Sequence, residues 1–229
     1  PGRQLELLEA VAATGTPVIV VLISGGPVVM ERWLPKVRAV LHAWYPGEEG
    51  GNAIAEVLFG VHYPSGKLPV TFPKRTGQCP LFYAHKPTGR VDDYVDLRGS
   101  QERFPFGFGL GYTTFTYRIL EVTPRTARDG GGVRMRVEVR NTGRRTGEDT
   151  VQVYLRDTVS RLVRPVRELC AFQRVRLEPG ERRAVEFTID RASFAYLNEE
   201  LRPVVEPGNF DLFVGADSTA ATSARCTIN

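Results

Sequence analysis

The side chains best suited to chemistry are carboxylates in the first half of the chain. Two carboxyl groups roughly 5–5.5 Å apart can divide the roles of nucleophile and proton donor between them. Glu48 and Glu49 precede a helix-like segment, where acids complement the positive end of the helix dipole. The other candidates fall in a loop-like stretch, where solvated acids are usual: Asp92, Asp93, Asp96 and Glu102. In an extended chain, adjacent acids such as Asp92 and Asp93 point to opposite faces and make a poor catalytic pair.

Histidines and cysteines give no pattern typical of a metal site. The three histidines are dispersed, and we expect His42 to be a hydrogen-bonded core residue and His62 to lie on a surface loop. The cysteines, odd in number and widely spaced, are Cys79, Cys170 and Cys226. One long-range disulfide is an alternative to the buried free thiols that the spacing favours. We therefore expect no metal and no cofactor.

Neither a serine nucleophile nor a phosphate-binding loop is indicated. Ser24 follows a strand-like run, but Leu22 occupies the first glycine position of the Gly-x-Ser-x-Gly turn. Gly107, Gly109 and Gly111 alternate with large residues and lack the spacing of a dinucleotide-binding loop. These glycines are better explained by close backbone packing beside aromatic rings.

Composition argues against nucleic acid and membrane as partners. The chain has 229 residues, is 42% hydrophobic and carries a formal net charge of +4, with no dense basic block. Its many arginines are dispersed, which indicates codon usage rather than a binding surface. The longest apolar run, residues 18–23, is far too short to span a bilayer.

Residues 1–73 read as a partial α/β domain. Apolar runs at residues 18–23 and 39–44 predict parallel strands covered on both faces. Residues 50–59 predict a short helix that turns Ala53, Ile54, Val57 and Leu58 inward. So few parallel strands cannot form a self-sufficient sheet, because both faces and both edges need cover. The pattern therefore indicates the second half of a flavodoxin-like α/β sandwich.

The rest of the chain divides into a connection and a β-domain. Residues 74–114 form a long segment rich in glycine, proline and aromatics, whose rings we expect to pack between domains. From residue 115 to 229, about seven short alternating strands with regular turn signals predict an antiparallel sandwich. Without a Cys–Trp–Cys signature, this sandwich is closer to a fibronectin type III-like domain than to an antibody domain.

Three sequence blocks, in order, resemble the C-terminal portion of family 3 glycoside hydrolases of the bacterial β-glucosidase type. They are Pro46-Gly-Glu-Glu-Gly-Gly51, Pro64-Ser-Gly-Lys-Leu-Pro69 with Thr71-Phe-Pro73, and Phe104-Pro-Phe-Gly107 with Gly109-Leu-Gly-Tyr-Thr-Thr-Phe115. The resemblance implies a complete enzyme with a TIM-like barrel that carries an aspartate nucleophile, an α/β sandwich that supplies a glutamate acid/base, and a fibronectin type III-like domain. Gly111 stands where the family more often has serine, a change expected to affect packing rather than chemistry.

The resemblance also suggests substrate-binding residues. The stretch Pro80-Leu-Phe-Tyr-Ala-His-Lys-Pro-Thr-Gly-Arg90 resembles a loop near the sugar cleft of periplasmic β-glucosidases of this family. His85 could donate to a sugar hydroxyl, and Arg90 could orient a carboxylate. The alternative is a loop held by its own hydrogen bonds.

The resemblance implies a function shared with other parts of an enzyme. Neither catalytic carboxylate maps onto this chain, so we expect the C-terminal part of a retaining β-glycosidase, inactive alone, that shapes the cleft wall and the domain interface. Its partners would be a β-glucoside or oligosaccharide, the N-terminal barrel and the first half of the α/β domain. A periplasmic or secreted location is favoured. The alternative is a non-catalytic carbohydrate-binding or structural module.

Overall fold

A small parallel sheet with flanking helices forms the first part of the structure, a computed structural model that describes residues 2–87, 102–126 and 130–229. Its elements are α1 (Gln4–Ala13), β1 (Ile19–Leu22), β2 (Ala39–His42) and α2 (Gly50–Leu58). The two strands pair in parallel register, with Ile19 opposite Ala39 and Leu22 opposite His42. The sheet has the direction that the apolar runs predict.

A compact apolar cluster lies against one side of this sheet. Met30, Trp33 and Phe72 are buried at its centre, and side chains of α1, β1 and β2 pack around them. Trp44, by contrast, is only half-buried. Trp33 is pinned between helix and sheet, whereas Trp44 lies beyond the end of β2.

Within the described residues the two strands are not covered on both faces, which is what the prediction of a partial sheet implies. No residue of β1 or β2 is buried, and the side chains of Ile19 and Ile23 are 54% and 62% exposed. Of the four α2 residues expected to face inward, Ile54 and Val57 are half-buried, whereas Ala53 and Leu58 are exposed. The reason is geometric, because the two helices and the apolar cluster do not enclose a sheet of only two strands.

Two short strands carry the chain from the sheet toward the β-domain. They are β3 (Phe72–Pro73) and β4 (Glu102–Phe104), which pair antiparallel. The Leu68 N–H donates to the carbonyl of Phe108 at 2.8 Å, and the Gly107 N–H donates to the carbonyl of Leu68 at 2.8 Å. Phe104 stacks on Phe108 with ring centroids 4.9 Å apart. The two stretches, residues 67–73 and 102–108, therefore run side by side, and together they are called the strap.

The rest of the chain forms an antiparallel β-sandwich, as predicted. Its long strands are β5 (Phe115–Pro124), β6 (Val133–Asn141), β7 (Gly147–Asp157), β8 (Glu168–Leu177) and β9 (Arg182–Ile189). After the short hairpin of β10 (Tyr196–Leu197) and β11 (Pro203–Val204), β12 (Gly208–Gly215) and β13 (Thr222–Ile228) complete it. The strand orders are β5-β6-β9 in one sheet and β13-β12-β7-β8 in the other.

Alternation along β6 shows why this domain folds as it does. Val133, Met135, Val137 and Val139 are fully buried, whereas Arg134 and its partners at every second position face outward. One face of each sheet thus contributes to a single apolar core between the sheets. An α/β region followed by a fibronectin type III-like sandwich is the fold class that the sequence predicts.

A buried arginine fastens the long loop between β7 and β8. The guanidinium of Arg164, whose side chain is 5% exposed, lies 3.3 Å from Asp157 and 2.8 Å from Glu168. It also donates to the carbonyl of Phe194 at 2.8 Å, which ties the loop to the segment after β9. Removing one partner of such a pair leaves an uncompensated charge in a low-dielectric site.

We predict that Arg164→Ala lowers the free energy of unfolding by about 3–5 kcal/mol, because Asp157 stays buried without its partner. Urea denaturation followed by far-ultraviolet circular dichroism measures the loss. Arg161→Ala is the matched control, since Arg161 pairs with Glu206 from the same loop but is 87% exposed. A comparable loss in both variants would contradict the assignment.

Candidate functional site

The candidate site lies at the carboxyl-terminal edge of the parallel sheet. Residues 24–26 follow β1 and residues 43–47 follow β2, so the two loops meet where α/β proteins usually bind ligands. The Tyr45 ring lies over Gly25 so closely that a β-carbon there would stand 2.6 Å from the phenol oxygen. Tyr45 is itself 78% exposed. The edge therefore presents an accessible aromatic ring on a glycine loop.

Trp44 has an unusual backbone at this edge. Its φ angle is +52°, in the left-handed region that a bulky residue rarely adopts. The His42 ring packs edge-on against Trp44 at 4.2 Å and against Phe72 at 5.5 Å between centroids. Held strain of this kind concentrates at functional sites, which supports this edge as the candidate.

His42 differs from the hydrogen-bonded core histidine that the sequence predicts. Both of its ring nitrogens are buried, and neither makes a hydrogen bond of regular geometry among the described residues. Burial lowers the pKa of His42, and the nearby Gly26 backbone offsets only part of that shift. The aromatic rings of Trp44 and Phe72 surround the imidazole, so the neutral form is the stable one.

We predict that the α/β part of the chain becomes less stable in mild acid because of His42. The unfolded chain takes up a proton as the pH falls through 6.5, the ordinary pKa, whereas the folded chain takes it up only at lower pH. Stability is therefore complete above that value and falls toward the depressed pKa of the folded state. Urea unfolding between pH 5.5 and 7.5, followed by tryptophan fluorescence, measures the slope.

His42→Phe should remove this pH slope, because the ring contacts are kept and the titrating group is lost. His62→Gln is the control, since His62 is exposed and pairs with Glu56 at 3.0 Å. A slope that survives His42→Phe would show that another group is responsible.

Of the predicted carboxylates, Glu48, Glu49 and Glu102 lie within the described residues. Glu49 stands at the N-cap of α2 without a side-chain cap, and its carboxylate instead accepts from Asn52 at 2.6 Å. Glu49 therefore complements the helix start only through its negative charge near the positive end of the helix dipole, because its side chain makes no capping hydrogen bond. Glu102 lies on β4 and is half-buried. Asp92, Asp93 and Asp96 lie outside the described residues.

One ion pair near the apolar cluster involves residues that the sequence did not single out. Glu31 forms an ion pair with Arg103 at 3.3 Å, with both side chains about one-third exposed. Arg103 also lies over the Phe104 ring at 5.5 Å. Nothing in the sequence signals this contact, because the two residues come from separate blocks that only the strap brings together.

His85 is exposed, on a loop that is fastened to the β-sandwich. Its Nδ1 lies 3.0 Å from the Lys86 carbonyl, and its own carbonyl accepts from the Val166 N–H at 2.9 Å. The neighbouring Tyr83 stacks on Phe106 at 4.2 Å. The backbone of the loop is thus fixed while the imidazole is accessible. Arg90, the second predicted binding residue, lies outside the described residues, so the paired role of both stays a prediction.

A buried ion pair joins the strap to the β-sandwich. Lys67 lies 2.8 Å from Asp149, with side chains 14% and 6% exposed, and the Tyr117 hydroxyl donates to the same carboxylate. Gln152 adds a hydrogen bond to the carbonyl of Gly107 at 3.1 Å. A cavity of about 280 Å³ lies beside this pair. The two parts of the chain therefore meet through specific polar contacts as well as aromatic rings.

Tyr63 and Gly111 fit together at the same junction. A β-carbon on Gly111 would overlap the hydroxyl and Cζ of Tyr63, and one on Gly147 would lie 2.9 Å from Cε2. The ring also packs edge-on against Tyr112 at 5.8 Å. Tyr63 thus fills the space above two glycines, which explains the absence of a side chain at position 111.

We predict that Gly111→Ala destabilises the chain by about 1–3 kcal/mol through overpacking. In a Tyr63→Ala background the same change should cost much less, because the obstructing ring is gone. Tyr63→Phe is the control background, since it keeps Cζ in the path of the new methyl group. Thermal unfolding of the six proteins in these cycles gives the coupling, and strictly additive losses would refute the steric account.

The cysteines are free thiols in three different environments. Cys79 is exposed, Cys170 half-buried and Cys226 buried. Burial raises the pKa of Cys170 to about 12 and that of Cys226 to about 11. The expectation of buried thiols is therefore correct for Cys226 and wrong for Cys79.

In residues 2–87, 102–126 and 130–229, no group of three or more histidine, cysteine or acidic side chains is arranged to hold a metal ion. Across the same ranges, no helix combines the length and hydrophobicity that a membrane crossing requires.

Both parts of the chain match known protein families. The model of the glycosyl hydrolase family 3 C-terminal domain matches residues 1–112, and that of a fibronectin type III-like domain matches residues 149–218. The chain is 41% identical to a periplasmic β-glucosidase of Salmonella typhimurium over 95% of its own length and 30% of the relative. It is 40% identical to a β-xylosidase of Formosa agariphila, with coverages of 96% and 31%.

Solved structures give the same result. A β-glucosidase from Listeria innocua in complex with glucose superposes with a TM-score of 0.91 at 31% identity, over all of this chain and 33% of that one. A β-glucosidase from Erythrobacter marinus gives 0.90 at 42% identity, over 100% and 30%. The chain thus spans about a third of the length of the relatives that it matches.

Proposed function

This chain belongs to glycoside hydrolase family 3, and we propose that it works as the C-terminal part of a retaining β-glycosidase that releases terminal β-D-glucosyl residues. The observation that carries the proposal is the incompletely covered parallel sheet. Ile19 on β1 and Ile23 just after it, with Leu7 and Val11 on α1, leave apolar surface in water. Such surface is normally covered by a partner. We propose that a barrel and the first half of the α/β sandwich cover it.

In this proposal the chain shapes the substrate cleft and supplies no catalytic carboxylate. The edge loops with Tyr45 and Trp44 form one part of the cleft wall, and the loop of His85 forms another. The Lys67–Asp149 pair holds the sandwich in place behind them. His85 donates to a sugar hydroxyl and Arg90 orients a carboxylate. The division into residues 1–73, 74–114 and 115–229 belongs to the same proposal.

A chimera tests the proposed function. The corresponding third of the Salmonella periplasmic β-glucosidase is replaced by this chain, and hydrolysis of aryl β-glucosides and β-xylosides is measured. We expect the chimera to prefer the glucoside and the 229-residue chain alone to be inactive. Turnover by the purified chain alone, or a folded chimera without activity, would overturn the proposal. Circular dichroism and size-exclusion chromatography establish that the chimera is folded.

The same chimera tests the two binding residues. His85→Ala should raise KM several-fold because a hydrogen bond to substrate is lost, while the backbone bond from Val166 is unaffected. Arg90→Ala should act in the same direction. Lys86→Ala, next along an exposed loop, is the control and should leave KM unchanged.

One observation favours the alternative of a carbohydrate-binding module. Tyr45 is exposed beside Trp44, and sugars stack on aromatic faces. A single exposed ring is a small platform, so the glycosidase role is the better supported. Titration calorimetry of the isolated chain with gluco-oligosaccharides separates the two, because a module binds without the rest of an enzyme.

A further inference from the structure

The outer face of the three-stranded sheet brings together arginines that are distant in sequence. In the register of β5, β6 and β9, Thr116 lies opposite Arg140, and Arg140 lies opposite Arg182. All three side chains point to solvent, because the alternate position Val139 is fully buried in the core. The next row on the same face consists of Arg118, Glu138 and Ala184.

The charges in these two rows are not balanced. Arg118 pairs with Glu138 at 3.4 Å. Arg140 and Arg182 have no acidic partner within the ranges that the structure describes. Like charges directly opposite one another on a sheet are destabilising. The fold thus places two arginines directly opposite one another, an arrangement that an anion between them would stabilise.

The surface at this point is concave. A cavity of about 250 Å³ is lined by Thr116, Tyr117, Arg118, Glu138, Arg140 and Arg182. Three arginines and one glutamate give the walls a formal charge of +2, which matches a doubly charged group. Guanidinium forks bind tetrahedral oxyanions through paired charge-assisted hydrogen bonds, and the threonine hydroxyl supplies another donor.

The other end of the same face shows that this arrangement is local. Arg136 lies between Glu121 at 3.9 Å and Glu186 at 3.8 Å, so its charge is compensated. Arg134 stands alone between Thr123 and Thr188. Only at the row of Arg140 do two arginines of the described chain meet across this sheet.

We propose that Arg140 and Arg182, with Thr116 and Arg118, form a binding site for a phosphate or sulfate ester group. The site lies on the face of the sandwich that points away from its core, and it does not depend on glycosidase activity. Its ligand is either the free anion or a sugar that carries such a group. Arg140 and Arg182 are far apart in the sequence, where they are typical of a general arginine bias. The sheet register places them opposite one another.

The test is a titration of the full 229-residue chain with inorganic phosphate at pH 7.5 and constant ionic strength. Isothermal calorimetry and the backbone amide shifts of β6 and β9 report binding. We expect a saturable 1:1 interaction that Arg140→Gln or Arg182→Gln weakens at least about tenfold, because each removes a charge-assisted hydrogen bond. Arg134→Gln removes the same charge from the far end of β6 and should leave the affinity unchanged.

Two further measurements complete the design. Without phosphate, Arg140→Gln and Arg182→Gln should unfold at or above the wild-type temperature, which separates lost binding from lost folding. Titration with glucose 6-phosphate and with glucose identifies the source, since tighter binding than inorganic phosphate points to a sugar ester and equal binding to the free anion. Affinity that falls equally in Arg134→Gln, or no saturable binding, would overturn the proposal.

Discussion

A parallel sheet has to be covered on two faces and two edges, and two strands with two helices cannot meet that requirement. Within the part of the chain that the structure describes, cover is supplied by the cluster of Met30, Trp33 and Phe72. The other surfaces of α1 and β1 keep apolar side chains in water. The proposed role follows from this, because the uncovered surface needs further protein and the exposed strand ends form one wall of a site.

The β-sandwich differs from the parallel sheet in how its apolar faces are covered. Its two sheets pack face to face around one apolar core, so the sandwich can act as a support. The strap carries that rigidity to the α/β part through the Lys67–Asp149 pair and the Gln152 hydrogen bond. The loop of His85 is fixed to the sandwich by backbone contacts, which leaves its imidazole accessible. Support and candidate site are therefore mechanically linked although they belong to different folds.

Family membership and the surface of the sandwich carry different kinds of information. The resembling blocks lie where the chain packs closely, as at Gly109 against the Gly66 carbonyl and at Gly111 against the Tyr63 ring, and they report shared packing. The arginine row on β5, β6 and β9 lies on a face that the packing does not constrain. A charge pair held there against its own repulsion needs a separate explanation, and an anion supplies one.

The sequence by itself determined the elements, because side-chain periodicity is local. Alternation along β6 predicts its buried and exposed faces, and the apolar runs predict both parallel strands. The environment of His42 was predicted wrongly, because it depends on what surrounds the side chain. Only the tertiary structure decided that Lys67 meets Asp149 and that Arg140 meets Arg182. Such contacts arise from strand register and domain packing, which no short stretch of sequence encodes.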